Sequence, residues 1–129
     1  MVSLEDPTCR ASVIDLLQRA RRLISAPGCW TRGASARDAN GSACHTCDAE
    51  AACWCALGAV SHESGGGWAS TAGLASTALA GAVKAIRPDA DWDDDEGEIV
   101  VSFNDDYGRS QADVLAVFDR AITRLERIS

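Results

Sequence analysis

Residues 49–61 read AEAACWCALGAVS, and this stretch decides the fold because it is apolar nearly all round. A helix without a polar face is normally a buried one. We therefore predict a central helix from Asp48 to His62, in which small residues let neighbouring backbones approach closely while Trp54 and Leu57 supply bulk. The GGG run at 65–67 is expected to end this helix.

Periodic apolar residues on either side predict three more helices. The first follows a cap at Asp6 or Thr8, with Pro7 in its first turn, and ends at Pro27-Gly28. Another runs from Ser70 to Ile86. The last begins at Ser110, which has Asp113 three residues on, as in a capping box. Twenty-three alanines also favour helix over strand.

We expect a mainly all-α protein, an irregular four-helix single domain over residues 1–129 with long loops. The run IVVSF at 99–103 begins with three β-branched residues and is compatible with one short strand. No stretch approaches the roughly 20 consecutive apolar residues of a membrane span, and the N-terminus lacks the regions of a signal peptide. The predicted location is therefore the cytoplasm, without membrane association.

Seven of the 19 acidic residues stand within ten positions, at 89–98. The other twelve equal the 12 Lys plus Arg residues, so the net charge of −7 belongs to this one segment. Such a chain lacks the basic footprint expected for direct nucleic-acid binding. We expect the segment to bind a basic surface of a protein partner, through Asp89, Asp91, Trp92, Asp93, Asp94, Asp95, Glu96 and Glu98.

Residues 44–55, CHTCDAEAACWC, hold four cysteines and a histidine. One hypothesis is that the thiols are packing atoms of the buried helix, with no cofactor. A second is a redox dithiol at Cys44 and Cys47. The third is a zinc or iron–sulfur site, which would need the helix to begin after Cys55, because Cys53 and Cys55 point about 200° apart on a helix. Its candidate ligands are Cys44, His45, Cys47, Cys53 and Cys55.

The run from Phe103 to Ser110 is rich in Asn, Asp and Gly, which suit turns and the capping of the last helix. It also offers a candidate ligand pocket if the loop near Trp30 folds beside it. The residues of that pocket would be Trp30, Asn104, Asp105, Asp106 and Arg109.

The chain resembles a family of small bacterial and phage proteins that contain a domain of unknown function. The resemblance rests on four short motifs between about residues 12 and 125. It implies a small, mainly helical cytosolic protein and brings no activity with it; Cys44, Cys47 and Cys53 lie outside the shared motifs. The matching residues are Trp30 with Gly33, the run WCALGA at 54–59, Phe103-Asn104-Asp105, and Val114 with Ala121-Ile122.

These observations lead to three hypotheses of function. The first is a non-enzymatic interaction or regulatory protein of phage or mobile-element origin, which binds a protein partner through its acidic segment. The second is a small cysteine-ligated zinc or iron–sulfur protein. The third is a small enzyme of unknown reaction, for which the sequence contains neither a phosphate-binding glycine motif nor a catalytic triad motif.

Overall fold

A computed structural model describes residues 6–65, 70–88, 96–106 and 108–128. Within these ranges it contains five helices and two short strands. The mainly helical class is therefore confirmed, although the expected number of helices was four. In chain order the elements are α1 (Pro7–Leu23), β1 (Ala36–Asp38), β2 (Ala51–Trp54), α2 (Ala56–Glu63), α3 (Ser70–Ile86), α4 (Glu96–Asp105) and α5 (Gln111–Glu126).

Helix α1 begins where the sequence predicts, because Asp6 caps it. The Asp6 carboxylate accepts the backbone N–H of Thr8 at 2.9 Å, and Pro7 occupies the first turn, where a missing N–H costs nothing. Helices α1, α3 and α5 pack against one another and share one core. Its fully buried side chains include Leu16, Leu17, Ile24, Leu79 and Phe118.

Helix α5 begins with the predicted capping box. The Ser110 hydroxyl accepts the Asp113 N–H at 3.2 Å, and the Asp113 carboxylate accepts the Ser110 N–H at 3.0 Å. This backbone hydrogen bond lowers the pKa of Asp113. None of the helices in the described ranges is long and apolar enough to span a membrane.

The predicted central helix from Asp48 to His62 is wrong in its first half. Residues 51–54 form β2, with Ala52 exposed and Cys53 half-buried, and the helix begins at Ala56. The strand forms because β1, within the segment predicted as a loop, supplies backbone hydrogen-bond partners. The second half of the prediction is confirmed by helix α2, whose residues 56 and 58–61 are buried.

The two strands run antiparallel. Ala36 lies opposite Trp54, and Arg37 lies opposite Cys53. On its other edge, Arg37 also bridges to Ala43. Chain segments on both sides of β1 are thereby brought next to the start of α2.

The short strand suggested at 99–103 is also wrong, since these residues lie inside α4. Ile99, Val100 and Phe103 are buried, and α4 packs on α3 and α2. Burial of this helix face outweighs the strand preference of β-branched side chains, which is weak and depends on context.

Candidate functional site

Most of the predicted partner-binding segment lies outside the described residues. Glu96 and Glu98 fall in the first turn of α4, and Glu98 is exposed. The remaining residues of the segment, for which the structure gives no geometry, are Asp89, Asp91, Trp92, Asp93, Asp94 and Asp95.

The loop near Trp30 does fold beside the end of α4, as the pocket hypothesis requires. Asn104 is 1% exposed and lies at the centre of this contact. Its Oδ1 accepts the indole N–H of Trp30 at 2.8 Å and the backbone N–H of Ala56 at 3.0 Å. Its Nδ2 donates to the carbonyl of Thr31 at 3.1 Å and to the carboxylate of Asp105 at 2.9 Å.

These four bonds use both acceptor positions and both donor positions of the Asn104 amide. The amide therefore has no hydrogen-bonding capacity left for a ligand. It joins the Trp30 loop, the N-terminus of α2 and the C-terminus of α4, and this is the geometry of a structural junction.

Charged residues around Asn104 extend the same junction. The Asp105 carboxylate accepts the Gly33 N–H at 3.0 Å. The Arg32 guanidinium donates to the carbonyls of Asp106 and Arg109 at 3.1 and 3.0 Å. The Arg109 guanidinium lies 3.6 Å from the centre of the Phe103 ring, a cation–π contact. All five residues predicted for the pocket are thus brought together. Trp30, Asn104 and Asp105 are joined by hydrogen bonds, Asp106 pairs with Arg109, and Arg32 contacts both groups.

The start of α2 depends on an unusual cap. Cys55 precedes the helix in an extended conformation, and its Sγ accepts the N–H of Gly58 at 3.3 Å. Gly58 lies so close to the loop before β1 that a Cβ there would be 1.9 Å from the Ser35 carbonyl oxygen. The Cys55 N–H donates to that same oxygen at 3.1 Å. Glycine at this position is therefore required by the approach of two backbones.

Trp54 fixes the preceding segment by its ring. Its Nε1 donates to the Thr46 carbonyl at 2.9 Å, and the His62 ring lies 4.9 Å away, centre to centre. The His62 Nδ1 is 2.7 Å from the same carbonyl. Since a carbonyl only accepts, the hydrogen of neutral His62 is on Nδ1.

The five candidate metal ligands divide into two groups. Cys44, His45 and Cys55 line one cavity. Cys47 and Cys53 do not line it, and each thiol lies 3.9 Å from a backbone carbonyl, of His62 and Arg37 respectively. The helix does begin after Cys55, as a metal site would need. Even so, no three Cys, His, Asp or Glu side chains converge on a metal-binding position in the part of the chain that the structure describes.

The cavity has a volume of about 380 Å³ and lies between the segment 44–46, the first turns of α2, and α4. Its buried residues are Thr46, Cys55, Gly58 and Ser61; at its edge are Ser35, Cys44, His45, Leu57 and Val101.

The environment of the cavity keeps its thiols protonated. Burial raises the pKa of Cys55, and the Asp105 carboxylate raises it further. Desolvation and then the carboxylates of Asp48 and Asp38 raise the pKa of Cys44. A thiolate nucleophile needs a lowered thiol pKa, as beside a cationic group. The surroundings of Cys44 and Cys55 therefore do not favour cysteine catalysis.

A larger cavity of about 870 Å³ lies between α1, the end of α2 and the start of α3. Arg19 is its main cationic group, and it already pairs with Asp15 at 2.9 Å and Glu63 at 3.3 Å. Its walls include Ser64 and Thr71, which flank the undescribed residues 66–69. It lacks cysteine and histidine, so we take the smaller cavity as the better candidate site.

Sequence reasoning missed the hydroxyl groups of that cavity. Thr46 and Ser61 are 7% and 6% exposed, and their oxygens are 3.0 Å apart. Ser61 belongs to the run 49–61 that the sequence predicts to be buried. Because a buried hydroxyl needs a hydrogen-bond partner, the sequence does predict that Ser61 has one. Nothing in the sequence identifies Thr46 as that partner.

Comparison with known families gives one finding. The model of DUF6197, a family of unknown function, matches residues 8–124. Neither a curated protein nor a solved structure matches the chain. The expected resemblance to a family of unknown function is therefore confirmed.

Proposed function

The chain belongs to DUF6197, a family of unknown function, and we propose that it is a non-enzymatic interaction or regulatory protein. It is a cytosolic protein of phage or mobile-element origin, and it binds a basic surface of a protein partner through residues 89–98. Trp92 supplies an aromatic contact within that segment.

The distribution of charge carries this proposal. Outside residues 89–98 the acidic and basic residues are equal in number. Several described carboxylates there are also paired with arginines: Arg21 with Asp119 at 2.6 Å, and Arg109 with Asp106 at 3.6 Å. The net negative field of the protein therefore comes from one segment, as suits a surface that attracts a basic partner.

Attraction of this kind acts mainly on the rate of association. Complementary charges raise the association rate constant at low salt, and ions screen the effect over a Debye length of about 10 Å at 0.1 M. Association should therefore slow steeply with rising salt, by about tenfold or more between 50 and 300 mM NaCl.

Two variants with the same change of net charge test the proposal. One replaces Asp93, Asp94 and Asp95 by Asn. The control replaces three exposed acids elsewhere by the matching amides, Asp48→Asn, Glu50→Gln and Glu126→Gln.

Wild type and both variants are used to capture proteins from the native host, and association of the identified partner is then timed at several salt concentrations. The proposal expects the first variant to associate several-fold more slowly at 50 mM NaCl, the control to match wild type, and Trp92→Ala to dissociate faster. Equal rates for the two charge variants would contradict it. So would the absence of any protein that wild type and the control both capture more strongly than the first variant does.

A further inference from the structure

The cavity beside Cys55 is the best-built unassigned site in the described residues. Its volume of about 380 Å³ falls in the range of small-molecule pockets. Thr46 and Ser61 are two of the four polar or charged residues that are buried in the described chain, and both line it. Leu57 and Val101 add apolar side chains to its lining.

The buried hydroxyl pair has one donor to spare. Thr46 and Ser61 carry two O–H hydrogens, and the bond between their oxygens uses one of them. No other described residue accepts from either hydroxyl. The S–H of Cys55, which is 6% exposed, likewise has no acceptor among the described residues.

A third donor lies at the edge of the cavity. The Cys47 N–H donates to the Nδ1 of His45 at 3.1 Å. Nδ1 is therefore an acceptor, and the hydrogen of neutral His45 is on Nε2. The residues that line the cavity thus carry O–H, S–H and N–H donors, and an acceptor atom on a ligand could bond to one of them.

Charge around the cavity limits the class of ligand. No Lys or Arg lines it, and the carboxylates of Asp38, Asp48 and Asp105 lie near enough to Cys44 or Cys55 to disfavour their thiolates. An anionic ligand would meet the same repulsion. The same carboxylates would attract a cation, but none of them lines the cavity, so a cation inside it would lose its water without gaining a paired carboxylate.

We propose that this cavity binds a small uncharged molecule whose carbonyl or amide oxygen accepts a hydrogen bond from the Thr46–Ser61 hydroxyl pair. The ring or chain of the ligand lies against Leu57 and Val101. This inference is independent of the acidic segment, so the two proposals can fail separately.

Three pyridine-ring probes that each keep an acceptor oxygen and differ in charge test the inference at pH 7: uncharged nicotinamide, anionic nicotinate and cationic 1-methylnicotinamide. Binding is followed by the backbone amide shifts of Thr46, Gly58 and Ser61 in two-dimensional NMR spectra. A second readout is the rate at which a maleimide alkylates Cys55, mapped by mass spectrometry. We expect saturable shifts and slower alkylation with nicotinamide at millimolar concentration, and at least tenfold weaker binding of the two charged probes.

Two variants locate the binding. Thr46→Val with Ser61→Ala removes both hydroxyls, and Val101→Trp puts a larger side chain into the cavity lining while both hydroxyls remain. Each should weaken nicotinamide binding at least tenfold. Ser12→Ala, which removes an exposed hydroxyl on α1, should leave it unchanged.

The inference is overturned if none of the probes gives saturable shifts at Gly58 and Ser61, which would mean that the cavity holds water alone. It is also overturned if a charged probe binds as tightly as nicotinamide, or if both variants bind as wild type does. Should the double variant fail to fold, the Val101→Trp result decides.

Discussion

The indole Nε1 of Trp30 lies 2.8 Å from the Oδ1 of Asn104, a residue 74 positions further along the chain. The same oxygen accepts the first N–H of α2, from Ala56. One buried amide therefore holds together three segments that are distant in sequence. Trp30 and Asn104, which the sequence suggests as residues of a ligand pocket, instead connect parts of the fold.

Replacing Asn104 by Leu should strongly destabilise the protein. The substitution leaves the Trp30 and Ala56 donors and the Thr31 carbonyl without their partner, and each buried polar group left unpaired costs about 1–3 kcal/mol. We expect the free energy of unfolding, measured with urea, to fall by roughly 3 kcal/mol or more. Asn40→Ala, in an exposed loop, is the control and should change it by less than about 0.5 kcal/mol. A loss at Asn104 no larger than in the control would contradict a structural role.

The sequence predicts α1, α3 and α5 well because each is a helix with one buried stripe and local end signals. The capping residues are adjacent in sequence to the helices that they cap, so a few neighbouring residues are enough to predict where each helix begins. These residues are Asp6 for α1, and Ser110 with Asp113 for α5. The same holds for the mainly helical class. These features depend on neighbours within four residues.

Residues 51–54 could not be assigned in this way. Ala51, Ala52, Cys53 and Trp54 are compatible with a buried helix and with a strand, and the choice depends on pairing with β1, 13 to 18 residues earlier. Cysteine is also not among the usual helix caps, so Cys55 gave no sign of a helix start.

Helix α4 differs from β2 because its sequence does contain a helical pattern, which the β-branched residues obscure. Buried residues 99, 100, 103 and 104 have the spacing of one helix face. The β-branched run at 99–101 suggested a strand, although the apolar residues 99, 100 and 103 already have the spacing of a helix face.

Alkaline pH should destabilise the protein through Cys55. Burial raises the pKa of this thiol in the folded state above its ordinary value of 9.0. The unfolded thiol therefore ionises first, and the stability linked to Cys55 is complete below about pH 9 and is lost as the pH rises through the folded pKa. Urea unfolding of wild type and Cys55→Ser, measured with reductant from pH 7 to 10.5, should show wild type losing stability relative to the variant at the alkaline end.

Serine keeps an acceptor for the Gly58 N–H but does not ionise in this range, so the comparison isolates the thiol. Cys47→Ser, at an exposed cysteine, controls for the loss of a thiol in general. Parallel pH curves for wild type and Cys55→Ser would show that the thiol is not buried from water as described.

Metal analysis separates packing thiols from a zinc site. Ala43, the neighbour of Cys44, and Cys53 pair with opposite edges of β1 at Arg37. The chain segments that contain these two cysteines are therefore about two strand spacings apart, roughly 9–10 Å. We expect protein purified without an affinity tag to contain less than about one tenth of an equivalent of zinc or iron. Close to one equivalent, with loss of structure on chelation, would instead support the hypothesis of a metalloprotein, because structural sites contribute directly to folding.

The most direct test of the account measures the junction between Gly58 and Ser35. A Cβ at Gly58 would be 1.9 Å from a backbone oxygen, whereas a Cβ at Gly73, in α3, meets nothing within 4 Å. Urea unfolding should show that Gly58→Ala loses about 3 kcal/mol or more through forced backbone movement. Gly73→Ala should gain up to about 1 kcal/mol from helix propensity. If the two variants have the same stability within about 0.5 kcal/mol, the segment WCALGA does not form the close-packed junction on which this account of the fold depends.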